Sequence, residues 1–292
     1  MAQDEDQPLF KAGVSDVRID AQVTQGKDLV RGLAKEDFVV TDEGQPQTIV
    51  SFQHGEEPLN LVLLFDISGS MQKYIEEIAQ TAREALDHLR PGDRVAIMVF
   101  ARKTAVHQGF SDNLAETARQ IGTAVKVWDV GTTTMINTAV VDAAHYIEKK
   151  AGVEGRRAIL ILTDNLSTSY QLTDGQVIRE LDKADTVLNA IVTGHAIRPD
   201  PPSEGRYPDP DYTPANVFHV SEETGGEWVK AGEAGPTFNA MIERIRTRYM
   251  LSYHAPESKP GTFRHITVKL SADAQKKYPA AQIRTRSGYY AQ

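Results

Sequence analysis

From residue 59 to residue 192, short apolar runs alternate with stretches of helical period. Residues 61–65 are an unbroken apolar run, the pattern of a strand covered on both faces. Ile75, Ile78, Ala79, Ala82, Ala85, Leu86 and Leu89 then recur at helical spacing until Pro91-Gly92-Asp93 stops them. The rhythm continues with a strand over 95–101, helices over 114–125 and 136–149, a strand over 158–163, a helix over 177–184 and a strand over 187–192. Strands separated by helices of about ten or more residues predict an α/β fold with a doubly wound, mainly parallel sheet.

The flanks are β-rich instead. Residues 13–53 alternate in short bursts around Val14, Val17, Ile19, Phe38-Val39-Val40 and Ile49-Val50, with turn residues at Gln25-Gly26-Lys27 and Asp42-Glu43-Gly44. Residues 249–254, 265–270 and 282–285 read as strands at the other end. Neither end closes a core alone, but about six strands together make one β-sandwich. The expected plan is an α/β domain over 57–248 inserted into a discontinuous β-sandwich whose halves are 1–56 and 249–292. Two independent hairpin appendages are the competing plan. Within the central domain, Pro199, Pro201, Pro202, Pro208, Pro210 and Pro214 make 194–216 a long loop. A strand over 217–220 and a helix over 238–249 follow it.

Thirty-two basic against forty acidic residues give a net charge of −8, with no basic stripe, which argues against nucleic acid. The absence of cysteine excludes disulfides, thiolate metal sites and a cysteine nucleophile. The longest apolar runs are far short of the roughly 20 residues of a membrane span. The opening Met1-Ala2-Gln3-Asp4-Glu5-Asp6 lacks the basic and apolar parts of a signal peptide, so the chain reads as cytoplasmic or as a mature form.

In a doubly wound sheet, ligands gather at the carboxyl ends of the strands. Three loops there carry oxygen donors. Asp66-Ile67-Ser68-Gly69-Ser70 follows the first strand, with one carboxylate and two hydroxyls at alternate positions. Thr163-Asp164 ends a later strand, and Gly131-Thr132-Thr133-Thr134 precedes a helix. Two carboxylates and several hydroxyls, without sulfur or histidine, suit magnesium, manganese or calcium better than zinc or copper. The bland alternative makes Ser70 and Thr134 simple helix caps. No phosphate-binding loop, dinucleotide glycine fingerprint or serine elbow accompanies these residues.

Leu61-Val-Leu-Leu-Phe-Asp66-Ile-Ser68-Gly-Ser70-Met resembles the metal-ion-dependent adhesion site (MIDAS) of the von Willebrand factor A domain. Thr134-Met-Ile136-Asn-Thr-Ala139-Val140 fits the family's middle motif, with Thr133 the next choice, and Ile159-Leu-Ile-Leu-Thr-Asp164 fits its later aspartate loop. The resemblance spans roughly 57–248. It implies that Asp66, Ser68, Ser70 and Thr134 hold a divalent ion directly or through water, with Asp164 behind them. It also implies a protein partner whose Asp or Glu completes the coordination. With no catalytic motif and no base beside Ser68 or Ser70 except a carboxylate better used on the ion, the expected role is a non-enzymatic adhesion or assembly module. A metal-dependent hydrolase and a scaffold with a purely structural ion are the competing readings. The segment Gly32-Leu-Ala-Lys-Glu-Asp-Phe38 through Ile49 and the ending Arg286-Ser-Gly288-Tyr-Tyr resemble an exported bacterial family related to that domain. That likeness implies a periplasmic, cell-surface or secreted protein whose signal has been removed.

Overall fold

The computed structural model describes residues 16–126, 129–131, 133–152, 154–167, 172–194, 196–199 and 215–291. The chain starts with β1 (Asp16–Gln25), β2 (Asp28–Leu29), β3 (Phe38–Asp42), β4 (Gln45–Gln47) and β5 (Ser51–His54). The central unit runs β6 (Leu59–Asp66), α1 (Gln72–Leu86), β7 (Arg94–Phe100), β8 (Thr104–Ser111), α2 (Leu114–Ile121) and α3 (Ile136–Lys150). It continues with β9 (Arg156–Thr163), α4 (Asp174–Lys183), β10 (Val187–Val192), α5 (Val217–Glu223), β11 (Trp228–Lys230) and α6 (Ala234–Arg246). The end is β again: β12 (Tyr249–His254), β13 (Phe263–Leu270), then α7 (Ala272–Lys277), β14 (Ala281–Arg284) and β15 (Gly288–Tyr290).

The central sheet has the order β11-β10-β9-β6-β7-β8 and is parallel except where β8 pairs antiparallel with β7. Every residue of β6 is buried. Successive side chains point to opposite faces, so Leu61, Leu63 and Phe65 join a core with α1 and α6. Val62 and Leu64 join a second core with α3, α4 and α5. A continuous apolar run is what a strand buried on both faces needs.

The terminal strands form two antiparallel sheets, β14-β1-β12-β5 and β15-β13-β3-β4, with β2 paired beside β1. Each sheet mixes strands from before and after the central unit. Ile19 faces Leu251 across β1 and β12, and Val40 faces Val268 across β3 and β13. Their inward side chains share a third core that includes Phe38, Tyr249 and Tyr253. This is the inserted arrangement, and it replaces the two-hairpin alternative. Asp42, fully buried, ties the halves together by accepting from Tyr253 Oη at 2.8 Å, Tyr289 Oη at 2.9 Å and Arg264 Nε at 2.8 Å.

Some local expectations fail. Residues 217–220 open a helix, not a strand. Asn216 Oδ1 accepts from His219 N at 3.0 Å, capping α5, while Val217, Phe218 and Val220 are buried. A short apolar run fits either element, and here the cap decides. The expected 114–125 helix stops at Ile121, with a 3-10 turn over Ala124–Lys126. The expected 238–249 helix begins at Ala234 and ends at Arg246, leaving Tyr249 to open β12. β8, β11, α7 and β15 are additions.

Between α5 and β11 the chain turns at Gly225 (φ +79°) and Gly226. A Cβ on Gly226 would overlap the carbonyl oxygen of Leu188. Gly226→Ala is therefore expected to destabilise the protein by about 3 kcal/mol, as overpacking against backbone does. Denaturant unfolding checks this, and a loss below about 0.5 kcal/mol would show that the turn yields freely.

Candidate metal centre

β6 and β9 run side by side in register up to Phe65 opposite Leu162. Asp66 and Thr163 therefore leave the sheet together, with Asp164 one residue on. On the other side Asp66 pairs with Phe100 of β7. Each aspartate uses one oxygen to fold its own loop. Asp66 Oδ1 accepts from Ser68 N at 3.0 Å, and Asp164 Oδ1 accepts from Leu166 N at 3.0 Å. Such side-chain-to-backbone turns are a favoured use of aspartate where a strand ends.

The second oxygens carry the site. Asp66 Oδ2 accepts from Thr163 Oγ1 at 2.8 Å, and Asp164 Oδ2 accepts from Ser70 Oγ at 2.8 Å. Ser68 Oγ and Ser70 Oγ are 3.3 Å apart. Asp66, Ser68, Ser70 and Asp164 thus form one hydrogen-bonded cluster. The carboxylates lie buried at its floor, while Ser68 is half-buried and Ser70 exposed at its mouth.

Thr134 joins from a third direction. Its carbonyl accepts from Ser167 Oγ at 3.2 Å, and the next residue, Met135, donates its N–H to Ala101 O at 2.9 Å. These bonds hold buried Thr134 between the end of β7 and the loop after β9. Thr133 is half-buried, and Thr132 lies outside the described residues. Neither residue that the capping alternative concerns occupies the N-cap position. α1 follows Met71 and α3 follows Met135, and neither helix start has a side-chain cap.

Burial pushes the Asp66 carboxyl up to about 6, and the Asp164 carboxylate adds to that push. Hydrogen bonds from Ser68 and Thr163 oppose it only in part, and no cation is among the groups acting most strongly on Asp66. The floor thus concentrates negative charge, with no cation among the described groups that act most strongly on it. Oxygen donors of this kind fit a hard divalent cation.

Residues 61–166 match the family model of the von Willebrand factor type A domain. The segment is similar to such a domain over about a third of the chain. No curated protein matches the chain. Among solved structures, proximal thread matrix protein 1 of the mussel byssus, with a zinc-occupied MIDAS motif, shares the fold at TM-score 0.51 and 14% identity. The alignment covers 72% of this chain and 50% of that one. An aerotolerance-related membrane protein from Bacteroides fragilis aligns at TM-score 0.47 and 17% identity, over 64% of this chain and 98% of that one. A von Willebrand factor type A protein from Catenulispora acidiphila aligns at TM-score 0.48 and 11% identity, over 90% and 72%.

Sequence reading gave no site role to two residues of the sheet's carboxyl edge. Thr163 is the hydroxyl donor to Asp66, and Ser167 ties the Asp164 loop to Thr134. Thr163 had a signal, since it ends a buried strand just before the second aspartate. Ser167 had none. The proline-rich loop leaves this same edge. Thr193 Oγ1 lies 3.7 Å from Met71 Sδ at the start of α1, while residues 200–214 lie outside the described residues. Among the described residues no helix is long and apolar enough to cross a membrane.

Proposed function

We propose that this protein is a cation-dependent binding module, not a catalyst, whose A domain accepts an acidic side chain of a partner protein. The observation that carries the reading is the open cluster of two buried carboxylates and two serine hydroxyls, with the Asp66 carboxyl raised to about 6 by burial and by the neighbouring Asp164. Asp66, Ser68, Ser70 and Thr134 would hold the ion, and Asp164 would orient Ser70. A bound Mg2+, Mn2+ or Ca2+ would supply an electrophilic centre for one more anionic oxygen. With hydroxyls as most of its ligands, that ion would keep much of its positive charge for the partner's carboxylate. The zinc in the MIDAS motif of the mussel matrix protein supports a metal here.

The two serines donate to or share a proton with oxygen only. Neither has a histidine or lysine partner among its described hydrogen bonds, as a serine nucleophile would need. The sandwich joins the A domain at the amino ends of the strands, where Asp20 meets Arg156, so it leaves the carboxyl edge to a partner. The likeness of residues 32–49 and 286–290 to an exported bacterial family supports work in the periplasm, at the cell surface or in the medium.

Affinity capture from envelope and secreted fractions tests the reading. Immobilised wild type in Mg2+ and Mn2+ is expected to retain a protein that is lost in EDTA and lost with Asp66→Ala, whose fold is checked by circular dichroism. Equal capture in all three conditions would move the binding surface off the metal edge and leave any ion a structural role. Turnover of phosphodiesters or peptides only with added metal would make it a hydrolase instead.

A further inference from the structure

The rim of the carboxyl edge is chemically lopsided. On the β7 side, the turn Ala101-Arg102-Lys103 stands next to Asp66, because Asp66 pairs with Phe100. Both basic residues are exposed, and both donate their backbone N–H to Val130 O, at 2.9 and 3.1 Å. The Arg102 side chain lies along Gly131, where a Cβ would come within 2.9 Å of its Cβ and 3.5 Å of its Cδ. Gly131, at φ +82°, thus makes room for the arginine stem three residues before Thr134. Asp129 is exposed on that loop, and its Oδ1 accepts from Gly131 N at 3.4 Å.

Across the cluster, the loops after β9 and β10 present apolar side chains. Leu166, two residues past Asp164, is 56% exposed, and Ile197 is 77% exposed. These are the two most exposed of the large hydrophobic residues described. β9 and β10 are parallel neighbours in register up to Thr163 opposite Val192, so Leu166 follows the end of β9 closely. Ile197 lies five residues past β10, between Ala196, whose carbonyl accepts from Lys230 Nζ at 3.4 Å, and Arg198, which is paired with Glu222 of α5. A protein of net charge −8 thus places two cations that have no ion-pair partner among the described residues, with the exposed Asp129 beside them, on one side of its candidate metal, and the exposed aliphatic Leu166 and Ile197 on the other.

We propose that the partner segment is bipolar: one carboxylate for the ion, a second acidic residue on the Arg102 and Lys103 side, and a branched apolar residue on the Leu166 and Ile197 side. This rests on the cation-dependent reading above and narrows it to a class of peptide. A single carboxylate on an ion gives little selectivity, since acidic side chains are common on protein surfaces. A second charge contact and an apolar seat on opposite flanks fix direction and reject singly acidic partners.

The test uses the full chain and bead-displayed octapeptides with a fixed central Glu and all other positions randomised. Peptides bound in Mn2+ and released by EDTA are sequenced. The expected pool is enriched in Asp or Glu on one flank and in Leu, Ile, Val or Phe on the other. Arg102→Glu with Lys103→Glu is expected to remove the acidic enrichment and weaken selected peptides about tenfold, with thermal stability unchanged. Leu166→Ser is expected to remove the apolar enrichment alone. An EDTA-released pool without flank bias, or one unchanged in both variants, overturns the bipolar partner and leaves cation-dependent binding standing. No EDTA-released pool at all overturns the cation-dependent reading, and this proposal with it.

Discussion

Asp20→Ala is expected to cost about 3–5 kcal/mol of stability, the loss typical when one partner of a buried ion pair is removed. Asp20 lies on β1, in the sandwich. Its carboxylate accepts from Arg156 Nε at 2.8 Å, at the head of β9, and from Arg248 Nε, just before β12. The two arginines are 2% and 1% exposed, so without Asp20 two guanidinium charges remain buried. Their other bonds hold them in place: Arg156 donates to Ile245 O at 2.8 Å, and Arg248 donates to the carbonyls of Asp20 and Gly225. They cannot swing out to water without breaking the end of α6 and the turn before β11.

The same site sets an acid limit. Burial by itself would push the Asp20 carboxyl up, but Arg156 and Arg248 together outweigh it and hold the carboxyl below the ordinary 3.8. A depressed carboxyl contributes stability that is fully present above about pH 4 and lost as pH falls through its lower folded value. Wild type should therefore lose stability in that acid range, while Asp20→Ala, already weakened at pH 7, should show a shallower acid loss. Urea unfolding between pH 3 and 7 measures both, and a cost under 1 kcal/mol at neutral pH would mean that water reaches the arginines. Asp20→Asn should behave like the alanine variant, because shape without charge leaves the guanidiniums unpaired.

What the sequence made legible follows from where the physics is local. The buried run 61–65 and the spacing from Ile75 to Leu86 need no long-range information, and they mark β6 and α1. Asp66, Ser68 and Ser70 were legible because one turn brings them together. Asp164 was legible because a buried strand ends just before it. β8 stayed hidden because it is an edge strand with half-exposed residues such as Ala105 and Gln108, which carry no alternation. α5 stayed hidden because Val-Phe-His-Val favours a strand locally, and the cap from Asn216 overrides that preference. The Asp20 cluster could not be foreseen at all. Its members come from residues 20, 156 and 248, and only the insertion of one domain into the other brings them together.

Asp66→Asn is expected to make the metal-free protein more stable above pH 6, a reversal of the usual cost of altering a buried polar residue. Burial, aided by Asp164, raises the Asp66 carboxyl from 3.8 to about 6, so the folded state holds a proton that the unfolded state releases. For a carboxyl raised on folding, stability is fullest below about pH 4 and falls as pH climbs towards 6. A shift of about two units, at 1.36 kcal/mol each, sets a ceiling of about 3 kcal/mol on that loss. Asparagine is neutral at every pH and keeps an oxygen for Ser68 N, while its amide can donate to Thr163 Oγ1. In EDTA the two proteins should melt together near pH 4 and diverge above it, with the asparagine variant several degrees higher at pH 7.5. Saturating Mn2+ or Mg2+ should invert that order. Ionised Asp66 then has its counter-charge, and binding at a hundred times the dissociation constant stabilises wild type by about 2.7 kcal/mol while the variant gains little. If the variant is weaker than wild type in EDTA at every pH, the strain attributed to Asp66 does not exist. If it is stronger in EDTA but metal fails to restore wild type, the charge is real and the cation is not its purpose. The full inversion requires both: a carboxylate kept at a cost in the fold, and a cation that makes the cost worthwhile.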